Sequence, residues 1–250
     1  MSQKKLDFVL FMADTNLILA QRNAEWCGHG PVLEQDIAIT NITLDLLGQA
    51  RNFYQYAASL INQSTNQPIE VTEDSLAYLR TEREFKNLLL CELPNGDWAQ
   101  SILKLFFFSA YTQLLYTQLL HCNYEHIAAI AQKSLKETNY HLRWSSEWVI
   151  RLGDGTVESN QKLKNALYYL WPFTGEMFVA ADFENEIDLK GIQDKWQQKV
   201  HAVLNDATLA VPDMQMHMQS GGKQGIHTEH MGYILAEMQY LQRTYPGAEW

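Results

Sequence analysis

Four long segments, residues 6–26, 32–60, 98–121 and 124–152, carry apolar side chains at spacings of three and four. No stretch of alternating apolar and polar residues competes with them. That spacing gathers the apolar groups on one side of an α-helix, so each segment must bury a stripe against a neighbour. Two such pairs, separated by a longer excursion, make the core of a four-helix bundle. The turn signals agree. CGHGP (27–31) ends the first helix and allows the second to begin at Pro31. ELPNGD (92–97) turns at Asn95-Gly96 before the third, and Asn123 is placed to cap the fourth. Additional helices are expected over 72–91 with Thr72 as cap, 161–183 with a weak point at Pro172, 188–209 and 227–245. INQSTNQP (61–68) breaks the chain after the second helix. Pro212 to Gly225 reads as irregular, with QSGGKQG (219–225) as a mobile loop. No repeat and no compositional shift marks a boundary, so one helical domain is expected over 1–250.

Charge narrows the function. With 19 Lys+Arg against 29 Asp+Glu, the chain carries a formal net charge of −10. Such a surface disfavours nonspecific binding to nucleic acid or anionic membrane. Residues 103–120, LKLFFFSAYTQLLYTQLL, are almost uncharged, but Ser109, Thr112, Gln113, Thr117 and Gln118 interrupt them. They suit a helix buried on most sides better than a membrane span. Cys27, Cys91 and Cys122 show no paired spacing, and the start lacks the apolar core of a leader. A reducing, cytoplasmic setting is the expectation.

The motif that bears most directly on chemistry is KETNYHLRW, 136–144. Ferritin-like di-iron bundles take one Glu from each of two helices and a Glu-x-x-His unit from each of the other two, because residues three apart share a helix face. Carboxylates offset the metal charge, and imidazoles complete the ligand set. Here the residue three before His141 is Thr138, while Glu137 is four before it. An i,i+4 pair can bind metal, but a Glu137–His141 hydrogen bond or ion pair is the plainer expectation. In the second long helix Asp45 can donate a carboxylate, but three residues on stands Gly48. A tight contact with a facing helix would explain that glycine. Asp45, Gln49 and Arg51 are candidates for hydrogen bonds within the bundle or at its edge. An unusual metal centre would draw on Asp45, Glu137 and His141, with Glu25 or Glu34 in support.

Other motifs weigh less. His227 and His230 in HTEH lie one turn apart at an expected helix start, where capping, a contact between subunits or a local hydrogen bond outweighs metal binding. HCNYEH (121–126) lacks zinc-type spacing. Gly221, Gly222 and Gly225 follow no strand and form no nucleotide fingerprint. Lys223 is either a solubilising lysine or a contact to an anionic ligand or partner. From the residues alone the chain is a ferritin-like four-helix bundle with additional helices and a doubtful metal centre. An unrelated helical binding or storage protein stays open.

Four blocks carry a resemblance: AEWCGHGPVLEQDIAITNITLDLLGQARNFYQYAA (24–58), REFKNLLLCELPNGDWA (83–99), KETNYHLRWSSEWVIRLGDGT (136–156) and GGKQGIHTEHMGYILAEMQYLQRTYPGAEW (221–250). Together they resemble the PaaC-like subunits of bacterial phenylacetyl-CoA ring-1,2-epoxidase, a multicomponent monooxygenase of aerobic phenylacetate degradation. The resemblance implies a ferritin-like fold and a structural, non-catalytic role beside a homologous di-iron, PaaA-like subunit that uses oxygen. It implies a small PaaB-like assembly subunit, and a PaaE-like reductase passing NADPH electrons through FAD and an iron–sulfur centre. Phenylacetyl-CoA is then substrate of the complex, and no cofactor is expected on this chain. Catalytic relatives resemble Asp-Glu-x-Gly-His in the second long helix and Lys-Glu-Glu-x-x-His in the later one. This chain keeps Asp45, Gly48, Glu137 and His141, lacks the first histidine and has Thr138 at a carboxylate position, which implies a degenerate site. Trp26, Trp144, Trp148 and Trp171 are candidate partner contacts.

Overall fold

The computed structural model describes residues 3–64, 70–212 and 217–248. Among them every regular element is helical and there is no strand. The long helices are α1 (Gln3–Ala24) and α2 (Leu33–Ser64), followed by the short α3 (Glu73–Tyr78) and α4 (Leu89–Glu92). Then come α5 (Trp98–Leu119), α6 (Glu125–Gly153), α7 (Val157–Leu170), α8 (Leu189–Asp206), α9 (His230–Met238) and α10 (Tyr240–Thr244). α1 packs along α2 and α5 along α6, giving the two hairpins of a ferritin-like bundle. Asp45 meets His141 and Gln49 meets Glu137, so four residues forward on α2 is four back on α6. That register makes the two helices antiparallel. One hydrophobic cluster draws on all four long helices and on α7, α8 and α9.

α5 is the central element. From Ala99 to Thr112 nearly every side chain is buried, and α7 and α8 close over it. Trp196 of α8 donates its indole N–H to the Phe107 carbonyl at 3.0 Å. Among the described residues no helix is long and apolar enough to cross a membrane. Asp97 caps α5 by accepting from Gln100 N, and Thr72 and Thr156 form capping boxes for α3 and α7. Asn123 does not cap α6: Tyr124 occupies that position without a side-chain bond.

Three expected helices are shorter or broken, two where tertiary bonds compete with the helical ladder and one at a proline. The 72–91 segment stops at Tyr78, passes through a 3-10 turn at Glu82–Glu84 and resumes only at Leu89. Asp14 of α1 takes the Arg80 guanidinium and the Lys86 N–H, which draws this stretch out into an extended run. The 161–183 segment starts early, behind Thr156, and becomes 3-10 at Trp171–Phe173 and Gly175–Phe178. Pro172 has no N–H to continue the ladder. The 227–245 segment begins at His230 and is interrupted at Gln239, whose amide donates to the Ala77 and Arg80 carbonyls.

QSGGKQG is not a free loop. Glu176 accepts the N–H groups of Leu89, Gly221 and Gly222, and a Cβ on Gly222 would collide with the Asn87 carbonyl oxygen. Lys223 is neither solubilising nor available to a ligand. Its ammonium is buried, 2.7 Å from Glu184 and 2.9 Å from the Val179 carbonyl. Parts of two expected loops, 65–69 within INQSTNQP and 213–216 within the irregular stretch, lie outside the described residues.

Candidate functional site

The inward positions of the bundle's middle carry polar side chains from all four long helices. On α2, Leu46 and Gln49 are buried, three apart; on α6, Thr138 and His141 are buried, three apart. These are the positions that two Glu-x-x-His units would occupy. They read Leu-x-x-Gln and Thr-x-x-His.

The polar groups are linked to one another across the helices. Asn16 of α1 donates to the Tyr116 hydroxyl of α5 at 3.2 Å. That hydroxyl donates to Gln49 Oε1 at 2.9 Å, and Gln49 Nε2 donates to Glu137 Oε2 at 2.9 Å. Beside this chain, His141 Nε2 lies 2.9 Å from Asp45 Oδ2. Glu137 and His141 therefore do not pair as the i,i+4 spacing suggests. Each reaches across to α2, where Gln49 and Asp45 stand closer in line. Burial pushes the Glu137 carboxyl above its usual range, Asp45 adds to that rise, and the Gln49 amide opposes it. Burial also raises the Tyr116 phenol. The phenol therefore stays a neutral donor to Gln49.

Iron does not fit this donor set. The centre offers an amide from α1, a phenol from α5, an amide from α2 that holds the Glu137 carboxylate, and one imidazole already held by the Asp45 carboxylate, so α1 and α5 supply no carboxylate to it. Two bridged ferrous or ferric ions need inward carboxylates to offset their charge. Asp14, the buried carboxylate of α1, is engaged by Tyr54, Arg80 and the Lys86 N–H. Glu25 pairs with Arg22 and Asn95 at the end of α1, and Glu34 stands exposed in the first turn of α2. Neither approaches His141. Among the described residues no group of three or more His, Cys, Asp or Glu is arranged to hold a metal ion.

Gly48 has a different meaning from the one its helix position suggests. A Cβ built there meets nothing within 4 Å. No facing helix of this chain presses on it. It lies on an outward stretch of α2 where Leu33, Ile37, Leu44 and Leu47 are 71%, 52%, 60% and 37% exposed. Arg51, farther along, pairs with Glu73. Leucines at such exposure on one helix make a contiguous apolar strip rather than scattered surface residues.

Of the four tryptophans named as contacts, Trp171 is 1% exposed and packs on Phe107 and Trp196, so it belongs to the core. Trp26, Trp144 and Trp148 are half-buried and meet Trp98 edge-on at one end of the bundle. His227 lies far from the centre, buried against Glu92 and the Phe85 carbonyl. The Asn16–Tyr116–Gln49 chain escaped sequence reasoning, because no spacing rule links residues on three helices. The faint signal was polar residues at otherwise apolar inward positions.

Residues 1–250 match the model of the family described as phenylacetic acid catabolic protein. The chain is 46% identical to a 1,2-phenylacetyl-CoA epoxidase subunit of Escherichia coli (strain K12), over 97% of this chain and 98% of that protein.

Proposed function

The chain belongs to the phenylacetic acid catabolic protein family, and on that premise we propose that it is the non-catalytic, assembly-bearing subunit of a phenylacetyl-CoA 1,2-epoxidase complex. The catalytic partner is a homologous di-iron subunit using oxygen. A reductase with FAD and an iron–sulfur centre supplies its electrons from NADPH, and the assembly is completed by a small further subunit. The complex works in the cytoplasm in phenylacetate degradation.

One observation carries this reading: the bundle's middle is a closed hydrogen-bond network where a di-iron protein needs open carboxylates. Asp45, Gly48, Glu137, Thr138 and His141 are the remains of a ligand frame that now serves packing. Asp45–His141 and Gln49–Glu137 tie α2 to α6, and so fix the platform that both helices present. The partner's helices cover the apolar strip of Leu33, Ile37, Leu44 and Leu47, and Gly48 leaves room for a close backbone approach.

Coexpression with the di-iron partner tests this. The expected result is a complex of fixed stoichiometry, iron accounted for by the partner and turnover that requires both chains. Leu44→Glu with Leu47→Glu is expected to abolish copurification while leaving the isolated chain folded by circular dichroism. Full epoxidation by the partner alone would refute the proposal.

A further inference from the structure

We propose that His227 and Glu92 form a proton-operated latch, which holds residues 226–244 against the bundle while His227 is protonated and loosens them as pH rises. The proposal rests on geometry and is independent of the epoxidase assignment.

The His227 imidazole and the Glu92 side chain are both fully shielded from solvent. His227 Nε2 lies 3.1 Å from the Phe85 carbonyl oxygen, which can only accept. Nδ1 faces Glu92 Oε2 at 3.3 Å, within ion-pair range though off the line of a good hydrogen bond. Both ring nitrogens thus face acceptors, and only the imidazolium has a proton for each. A neutral ring would set a lone pair against a buried carboxylate. The other Glu92 oxygen accepts the Thr228 N–H at 2.9 Å, so the pair grips two successive residues of the segment.

The surroundings favour the cation. Glu82, on the 3-10 turn packed against α9, adds negative charge, and Glu92 contributes from α4. Arg22 of α1 donates to the Glu92 backbone oxygen at 3.0 Å and is itself paired with Glu25. On the segment itself Glu229 and His230 follow directly, and Tyr169 of α7 lies near Glu229. Burial alone would lower the His227 pKa, but the facing Glu92 carboxylate, with the Phe85 carbonyl and the Glu82 charge, raises it above 6.5.

The other anchors of the C-terminal stretch, Glu176 with Gly221 and Gly222, and Glu184 with Lys223, lie before residue 226. Beyond it the attachments are this pair, the buried Met231, Ile234 and Leu235 of α9, the Gln239 bonds to Ala77 and Arg80, and the Arg243 guanidinium bonds to the Leu79 and Arg80 carbonyls, none of which titrates between about pH 6 and about pH 9. Loosening would therefore stop at Gly225 and free α9 and α10, which display Tyr233, Tyr240 and Leu241 at 76%, 61% and 50% exposure.

The sign follows from linkage. A histidine whose pKa is raised on folding gives stabilisation that is complete below its unfolded value. That stabilisation is lost as pH climbs through the folded value.

Hydrogen exchange of the full chain, corrected for intrinsic pH dependence, tests this between about pH 6 and about pH 9. The opening constant of residues 226–244 is expected to rise about threefold to tenfold across that range, with α5 unchanged. His227→Gln should abolish the rise and leave the segment open at the low-pH end. Glu92→Gln should also abolish it but keep protection at high pH, because its amide can donate to the neutral ring. A His227 ring titration by NMR in the unaltered chain should share its midpoint with the opening. Flat wild-type protection, or a rise that persists in both variants, would overturn the latch.

Discussion

Lys223 and Lys104 illustrate what a single buried charge does here. Lys223 and Glu184 face each other at 2.7 Å with both side chains buried. Replacing Lys223 with Met leaves Glu184 uncompensated, and the expected cost is about 3–5 kcal/mol in urea unfolding. Adding Glu184→Gln should restore much of that loss, since a neutral amide is cheaper to bury. Lys104 has no carboxylate in contact. It donates to the Leu93 carbonyl and to Asn95 Oδ1, and burial pushes its pKa down to about 7. Between about pH 7 and pH 10 the unfolded chain therefore holds a proton that the folded chain has released, so this group makes stability rise with pH. Unfolding at about pH 7.5 and about pH 9.5 should show that rise in the unaltered chain and a smaller one in Lys104→Met. An equal rise in both would remove Lys104 as its source.

At the scale of elements, α2 joins two faces with opposite demands. Its inner face ties Gln49 and Asp45 to α6, and its outer face leaves Leu44 and Gly48 bare. A lone bundle gains nothing from that glycine. Gly48→Ala should stabilise the isolated chain by roughly 0.5–1 kcal/mol in thermal or urea unfolding, because the added methyl meets nothing. The same change should weaken association with the partner, as read by titration calorimetry. Stabilisation without weakened association would move the interface elsewhere. The long helices were legible from periodicity because each buries a continuous stripe, as α5 does from Ala99 to Thr112. The breaks at Tyr78 and Gln239 were less so, whereas Pro172 marked the one after Leu170. Asp14, placed some seventy residues before Lys86, decides one of them, and local propensity has no access to such bonds. That Thr138, not a carboxylate, stands three before His141 was visible from spacing alone. The partner choices of Glu137 and His141 were not, because α2 supplies them.

At the scale of the whole molecule, a hydrogen-bonded bundle centre sits inside a helix pair whose outer face carries exposed leucines. The inner network links α1, α5, α2 and α6 through side-chain bonds, and the apolar strip on α2 lies outside it. Under the proposed function, a subunit built this way contributes position rather than chemistry. Its substitutions should act on catalysis only through assembly. The most direct test is the turnover and iron content of the reconstituted complex in which this chain carries Glu137→Gln and His141→Gln together. The account predicts that a complex of normal stoichiometry keeps its iron and its rate per complex. Loss of iron and turnover from a complex that still assembles would contradict it, and would put a metal centre in this chain.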